Sequence, residues 1–233
     1  MNRKYDGKRN GLFPAETFKY RWVRFWMHFA GRSGFGRFAT RLAEWFGPPH
    51  KVSYKLAYMN PKGYIASSAV IYHADLLLGV NVLIGDRVII YQAEKGGSVA
   101  LSDRVAVLRD TAIETAFNGR ITIGPETWIQ PRCQLNAYVG SIHIGRGVDI
   151  APNCALYSYD HGIAQGKTIR EQPLHSKGDI LICDHAWLGV GVTVLSGTRI
   201  GEGAVIGAGS VVTKDIPDGA VAVGNPARVV KMR

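Results

Sequence analysis

Long hydrophobic runs are missing from this chain. No apolar stretch approaches the roughly 18 to 20 residues that span a bilayer, and the first residues lack signal-peptide order, so a cytoplasmic protein is the expectation. Cysteine is scarce, with 3 in 233 residues, too few for a disulfide framework. Acidic residues are sparse at one end only. Residues 1 to 60 carry 3 Asp and Glu against 12 Lys and Arg, a net of +9, whereas residues 61 to 233 carry 15 against 16. The basic excess therefore belongs to an N-terminal segment. No base-stacking or groove-reading module accompanies it, so nucleic acid is not an expected partner.

What is abundant is glycine, 28 residues, together with a period. From Ile182 to Pro217 the chain reads ICDHAW LGVGVT VLSGTR IGEGAV IGAGSV VTKDIP, six blocks of six, each opening on Ile, Leu or Val. A helix repeats near 3.6 residues and a strand alternates with period 2, so a strict beat of six is neither. The fifth residue of a block lies two places before the next opener, and on an extended segment both side chains point to one side, which must be the core. Glycine often stands second (Gly189, Gly201, Gly207), where it would supply the positive φ of a tight corner. Short strands joined by sharp corners predict a solenoid that buries one aliphatic column. Cys133 and Cys154 fall on fifth positions and Cys183 follows an opener, which reads as reduced core or corner thiols.

The beat begins at Tyr64. Openers stand at 65, 71, 78, 84, 90, 101, 107, 113, 123, 129, 135, 144, 150, 156, 182, 188, 194, 200, 206 and 212. Extra residues appear only after every third block: one after the block at 71, five after 90, four after 113, three after 135 and twenty after 156. Three blocks make one triangular coil of 18 residues, so every insertion leaves the same edge of a prism. The expected fold class is an all-β solenoid, with six full coils and a partial first one. At roughly 4.8 Å per coil the stack would be about 30 Å tall. The expected organisation is a basic aromatic helical segment over 1–60, the solenoid over 61–217 and a short tail over 218–233.

Within the N-terminal segment, Phe18, Trp22, Phe25, Trp26 and Phe29 keep helical spacing beside a basic stripe of Arg21, Arg24, His28 and Arg32. A second short helix is expected from Arg37 to Phe46, after the breakers Gly31, Gly34 and Gly36 and before Gly47-Pro48-Pro49. These aromatics suit packing on the solenoid or on another subunit. They equally suit a helix lying on an anionic membrane surface, where aromatic and cationic faces belong together.

The twenty-residue excursion over 160–179 carries His161, Lys167, Arg170, Glu171, Gln172, His175 and Lys177. Loops leaving a rigid scaffold are favoured places for chemistry, and parity turns His161 outward. The ordered set Ile150-Ala151-Pro152-Asn153, Leu156, His161 ahead of a loop, Ala186-Trp187-Leu188-Gly189, Gly207-Ala208-Gly209-Ser210-Val211-Val212-Thr213-Lys214-Asp215 and Gly224-Asn225-Pro226-Ala227-Arg228 resembles the hexapeptide-repeat O-acetyltransferases. The likeness covers about residues 64 to 233 and is to the galactoside, maltose and Nod-factor enzymes and to those that acetylate surface polysaccharides. It implies a left-handed parallel β-helix, which the right-handed crossover rule would not suggest. It also implies a homotrimer with active sites between subunits, and acetyl-CoA as donor. A zinc site can be built on a solenoid of this kind from three histidines converging from adjacent coils and subunits, but the histidine spacing here does not match it, so no metal is expected.

A sugar hydroxyl is a weak nucleophile toward a thioester and needs a base as it attacks, a task suited to neutral imidazole. His161 matches the family's catalytic histidine, and the resemblance points to the backbone N–H of Val190 as donor to the tetrahedral oxyanion. By the same resemblance Trp187, Ala208 and Thr213-Lys214 line the path of the cofactor, and Arg228 reaches a phosphate. Trp187 could instead be a buried corner residue. Asn136 is the candidate on the acceptor side, and Asn136 and Asp160 are the candidates to orient His161. Alternative readings are an N-acetyltransferase on an amino sugar or antibiotic, and a noncatalytic scaffold. The basic aromatic segment departs from the free-sugar enzymes, which suggests an acceptor glycan assembled at a membrane and a membrane-peripheral site of action.

Overall fold

The computed structural model describes residues 17–47 and 53–233. From Tyr64 onward the chain winds through three parallel sheets, one per side of a prism. The first face stacks Tyr64–Ile65, Leu83–Ile84, Ala106–Val107, Trp128–Ile129, Asp149–Ile150, Trp187–Leu188, Val205–Ile206 and Ala220–Val223, and ends on the antiparallel Arg228–Met232. The second runs from Val70–Tyr72 to Val211–Val212 in seven strands, and the third from Leu76–Leu78 to Arg199–Ile200 in six. This is the triangular β-helix of about seven turns that the six-residue beat implies, left-handed like the hexapeptide-repeat enzymes.

Register converts the openers into three ladders. Ile65, Ile84, Val107, Ile129, Ile150, Leu188 and Ile206 pair in succession on the first face. Ile71, Ile90, Ile113, Leu135, Leu156, Val194 and Val212 do so on the second, and Leu78 through Ile200 on the third. All of these side chains are buried except Ile71 and Leu78, which are half-buried at the open end of the stack. Full burial of one such side chain contributes about 1.5–3 kcal/mol, so the column is the main source of cohesion.

The corners correct one expectation. The positive φ falls on the fourth residue of a block, not the second: Gly191, Gly197, Gly203 and Gly209 in the last coils, and Asn81, Arg87, Arg104, Asp110, Glu126, Arg132, Asn153 and His185 in others. The second-position glycines answer a different demand, close stacking of coils. A Cβ on Gly189 would lie 2.7 Å from the Ala208 nitrogen, and one on Gly201 would lie 2.4 Å from that of Asp218.

The N-terminal segment forms α1 (Phe18–His28), α2 (Gly34–Glu44) and α3 (Tyr54–Ala57). The second helix starts three residues earlier than expected. Ser33 caps it by accepting from Gly36 N at 3.0 Å, and Gly36 lies inside the helix because its backbone packs against Gly31, where a Cβ would sit 2.6 Å from the carbonyl oxygen. Of the bounding Gly47-Pro48-Pro49, the two prolines lie outside the described residues. Val23, Met27, Ala30 and Ala43 bury against Leu56, Ala57, Tyr64, Ala66, Leu83, Ala106 and Leu108. The helices thus cover the outward residues of the first coils on the first face. Asn60 fastens the end of α1 through Nδ2 donating to Met27 O at 2.8 Å and His28 O at 2.9 Å. Farther along the first face the cover ends, and Asp149 and Trp187 stand exposed.

Candidate active site

Insertions follow second-face strands only, so they share the edge between the second and third faces. The longest leaves after Ala155–Tyr157. Its exit is fixed by buried Ser158, whose Oγ donates to Gly140 O at 2.6 Å. Asp160–His161 then pairs antiparallel with Leu174–His175. Gln172, buried beneath the loop, accepts from Ala164 N at 2.7 Å through Oε1 and donates through Nε2 to Ala164 O at 3.2 Å. Thr168 and Glu171 close a capping box, with Thr168 N donating to Glu171 Oε2 at 3.0 Å. These bonds satisfy much of the loop's backbone internally and give it a defined shape.

His161 stands exposed at the root of this loop. Asp160, one of its two candidate orienting groups, accepts from Ser196 Oγ at 3.2 Å and ties the root to the next coil. The other, Asn136, is buried one coil away, in register with Tyr157, and its Oδ1 has no partner among the described residues. A buried acceptor without a donor is costly.

Sequence reasoning missed the neighbours of His161. Its ring meets Tyr159 edge-on at 6.3 Å, Tyr159 stacks on Tyr138 at 4.9 Å, and Tyr138 meets Phe117 edge-on at 6.2 Å. Tyr138 Oη donates to Glu114 Oε2 at 3.1 Å. Burial, reinforced by that carboxylate, pushes the Tyr138 phenol up to about 12, and burial also raises Tyr159, so both remain neutral donors. A signal existed: Phe117, Tyr138 and Tyr159 each stand three or four places past an opener, just before an insertion. Phe117 (φ 49°) and Val139 (φ 65°) occupy the left-handed region at this same edge. A bulky or β-branched residue rarely tolerates that conformation, and such strain concentrates at functional sites.

The remaining candidates gather elsewhere. Leu188 leads into Gly189-Val190-Gly191, the edge between the first and second faces. The Val190 carbonyl accepts from Gly209 N at 2.8 Å. Among the described residues neither the Val190 N–H nor the Ala208 N–H, one coil above, donates to a protein acceptor. Trp187 projects outward from the first face, in register with Asp149 and Val205, and is 48% exposed, so it is not a buried corner residue. The turn before Arg228 stacks on the same edge, with Gly207 N donating to Ala222 O at 2.8 Å and Val211 N to Gly224 O at 3.0 Å. Thr213 and Lys214, both exposed, lie instead on the edge that carries His161.

The candidate residues therefore fall into two groups. His161, Asn136, Thr213 and Lys214 lie at or beside the second–third edge, and Trp187, Val190, Ala208 and Arg228 at or beside the first–second edge. A prism side of six extended residues separates the two edges by on the order of 20 Å.

Residues 179–214 match the family described as bacterial transferase hexapeptide (six repeats). A Staphylococcus aureus (strain COL) protein, named provisionally as an acetyltransferase, is 55% identical over 62 residues, 27% of this chain and 31% of that protein. A galactoside O-acetyltransferase of Lactococcus lactis subsp. lactis (strain IL1403) is 51% identical over 61 residues, 26% and 30% of the respective chains. The chain spans about a third of the length of these curated relatives. Among solved structures, the polySia specific acetyltransferase NeuO has a TM-score of 0.62 at 24% identity, over 72% of this chain and 71% of that one. A mutant of AntD, an N-acyltransferase from Bacillus cereus in complex with dTDP and Coenzyme A, has a TM-score of 0.50 at 20% identity, over 73% and 81%. These two likenesses show a shared fold.

Proposed function

We propose that this hexapeptide-repeat protein of the bacterial-transferase type moves an acetyl group from acetyl-CoA to a hydroxyl of a sugar or glycan, in sites formed between subunits of a homotrimer. The observation that carries the reading is that the candidate residues divide between two edges of the prism. An outward imidazole on one edge and, on another, the backbone N–H groups of Val190 and Ala208, which donate to no acceptor among the described residues, can serve as two parts of an acyl-transfer centre, and a threefold assembly can bring one edge of a subunit against the other edge of its neighbour.

In this reading the acceptor hydroxyl lies at His161, near Asn136 and the Tyr138–Tyr159 stack. As the hydroxyl oxygen attacks the thioester carbonyl, the neutral imidazole takes its proton. The carbonyl oxygen becomes an oxyanion held by the Val190 N–H, a donor with no competing partner and no reorganisation to undergo. Collapse breaks the C–S bond and expels the CoA thiolate, which recovers the proton from the imidazolium; the products are an acetyl ester and free CoA. Trp187 and the Ala208 N–H line the donor's path, while Thr213, Lys214 and Arg228 supply hydroxyl and cationic partners for its phosphates.

The test is release of CoA thiol from acetyl-CoA against a panel of glycans and nucleotide amino sugars. His161→Ala should lower kcat by about 10²- to 10⁴-fold; full turnover by that variant would remove the mechanism. Alkaline hydroxylamine, applied after the residual acetyl-CoA is removed, cleaves an ester product and leaves an amide intact, so the same panel separates hydroxyl from amine acceptors.

A further inference from the structure

The helical segment has a second face that the prism does not use. On α1 the core side is Val23 and Met27, and on α2 it is Gly36, Ala39, Thr40 and Ala43. On the opposite sides Phe18, Phe25, Phe29, Phe35, Phe38 and Trp45 are exposed, from 39% at Phe29 to 68% at Trp45. These rings are not scattered. Phe25 meets Phe29 at 5.4 Å, Phe29 meets Phe35 at 5.9 Å, and half-buried Trp22 and Trp26 link the set to Trp45 (5.9 Å, stacked) and Phe38 (6.5 Å). Six aromatics exposed to this extent amount to roughly 600 Å² of apolar surface, the upper end of what a monomer shows.

Cations frame the patch. Lys19, Arg21, Arg24 and Arg41 are exposed, and among the described residues none of them forms an ion pair with a carboxylate. Arg21, Arg24 and His28 line an open groove of about 490 Å³ together with Phe25, Phe29 and Met59. The one acid of α2, Glu44, is turned inward and accepts from Tyr64 Oη at 2.7 Å. In sequence, Arg3, Lys4, Lys8 and Arg9 precede α1. A second copy of this surface would meet it with like charges, whereas an anionic bilayer offers phosphates to the arginines and an interfacial zone that accepts aromatic rings.

We infer that α1 and α2 dock the protein flat on an anionic membrane surface through these six aromatics and the flanking Arg21, Arg24 and Arg41. No helix of the described residues is long and apolar enough to cross a membrane. The inference does not rest on the acetyl-transfer reading.

Co-sedimentation of the full chain with vesicles tests it, using phosphatidylcholine alone and phosphatidylcholine mixed with phosphatidylglycerol. Strong binding is expected only to the mixed vesicles, falling with added salt. Arg21→Glu with Arg24→Glu should lower partitioning by at least about thirtyfold. Phe25→Ser with Phe38→Ser and Trp45→Ser should abolish it while the protein stays folded with a modestly lower Tm, because all three side chains are more than half exposed but each gives up ring contacts within the patch. Binding unaltered by these changes, or absent from anionic vesicles, overturns the inference. So does a lower molar mass of the aromatic variant by light scattering, which would show the patch to be a contact between copies.

Discussion

Replacing Val190 with proline removes a single N–H from the centre of the proposed mechanism. The fold has accepted that change twice already. Pro131 and Pro152 occupy the same third place of their blocks, and register stacks Ile129, Ile150 and Leu188 directly along the first face, so both prolines stand at the Val190 corner in the coils before it. The lost N–H donates to no protein acceptor among the described residues. No hydrogen bond disappears, and the restricted φ trims the unfolded ensemble, which is worth about 0.4–1 kcal/mol of stability. In a chain of this size that raises Tm by roughly 1–4 °C. Catalysis should move the other way. Loss of one oxyanion donor costs about 10²- to 10³-fold in kcat, or roughly 2.7–4 kcal/mol. Val190→Ala keeps the N–H and should stay within about threefold of wild type, since the side chain is not part of the donor. Thermal unfolding and thiol release on the two variants decide the matter. A Val190→Pro protein that is stable and turns over at the wild-type rate refutes the assignment of the oxyanion donor.

Two further outcomes are expected. Co-expressed His161→Ala and Val190→Pro chains should recover about a quarter of wild-type activity in mixed trimers, since that share of interfaces pairs an intact His161 with a neighbour's intact Val190; no recovery argues against sites between subunits. Below pH 6.5 the protein should lose stability through His73, whose imidazole is held below its ordinary value, first by burial and further by the charge of Arg32, while its Nε2 lies 3.1 Å from Thr115 Oγ1. A lowered folded-state pKa means the contribution is complete above the unfolded value near 6.5 and fades as pH falls through the folded one. His73→Gln should therefore flatten the Tm profile below pH 6.5.

Much of this molecule is written in its period. The openers predict which side chains fill the column because an extended segment alternates sides and the beat is even, and the surplus residues predict a single ragged edge because they recur only every third block. Parity fails where the chain leaves the coil. Phe117 and Val139 fall on core positions by count but turn outward with positive φ, since the insertions after them redirect the backbone. The glycine pattern is visible but its cause is not. Proximity of Gly189 to Ala208 is set by the rise between coils, whereas the left-handed corner falls two residues later and is taken by Arg, Asn, Asp, Glu or His as well as Gly. The helices illustrate a different limit. Spacing finds an amphipathic pattern, yet only the partner surface decides that Val23 and Met27 face inward while Phe18 and Phe25 do not. The aromatic stack beside His161 draws one ring from each of three successive coils, so no local window contains it.

Confining all insertions to one edge has a consequence for how such a protein can change. The ladders of the three sides never register the length of a loop at that edge, so the winding is insulated from it. Loop closure grows only slowly with length, at about 0.6 kcal/mol for each doubling. Going from the five-residue insertion after the block at 90 to the twenty-residue one after 156 therefore adds on the order of 1 kcal/mol, less than the loss of one buried opener. Selection can lengthen, shorten or replace the segment at that edge while the column and the other two edges stay as they are. On the proposed reading, diversification of the acceptor is thus separable, in heritable terms, from the part of the prism that would hold the acyl donor.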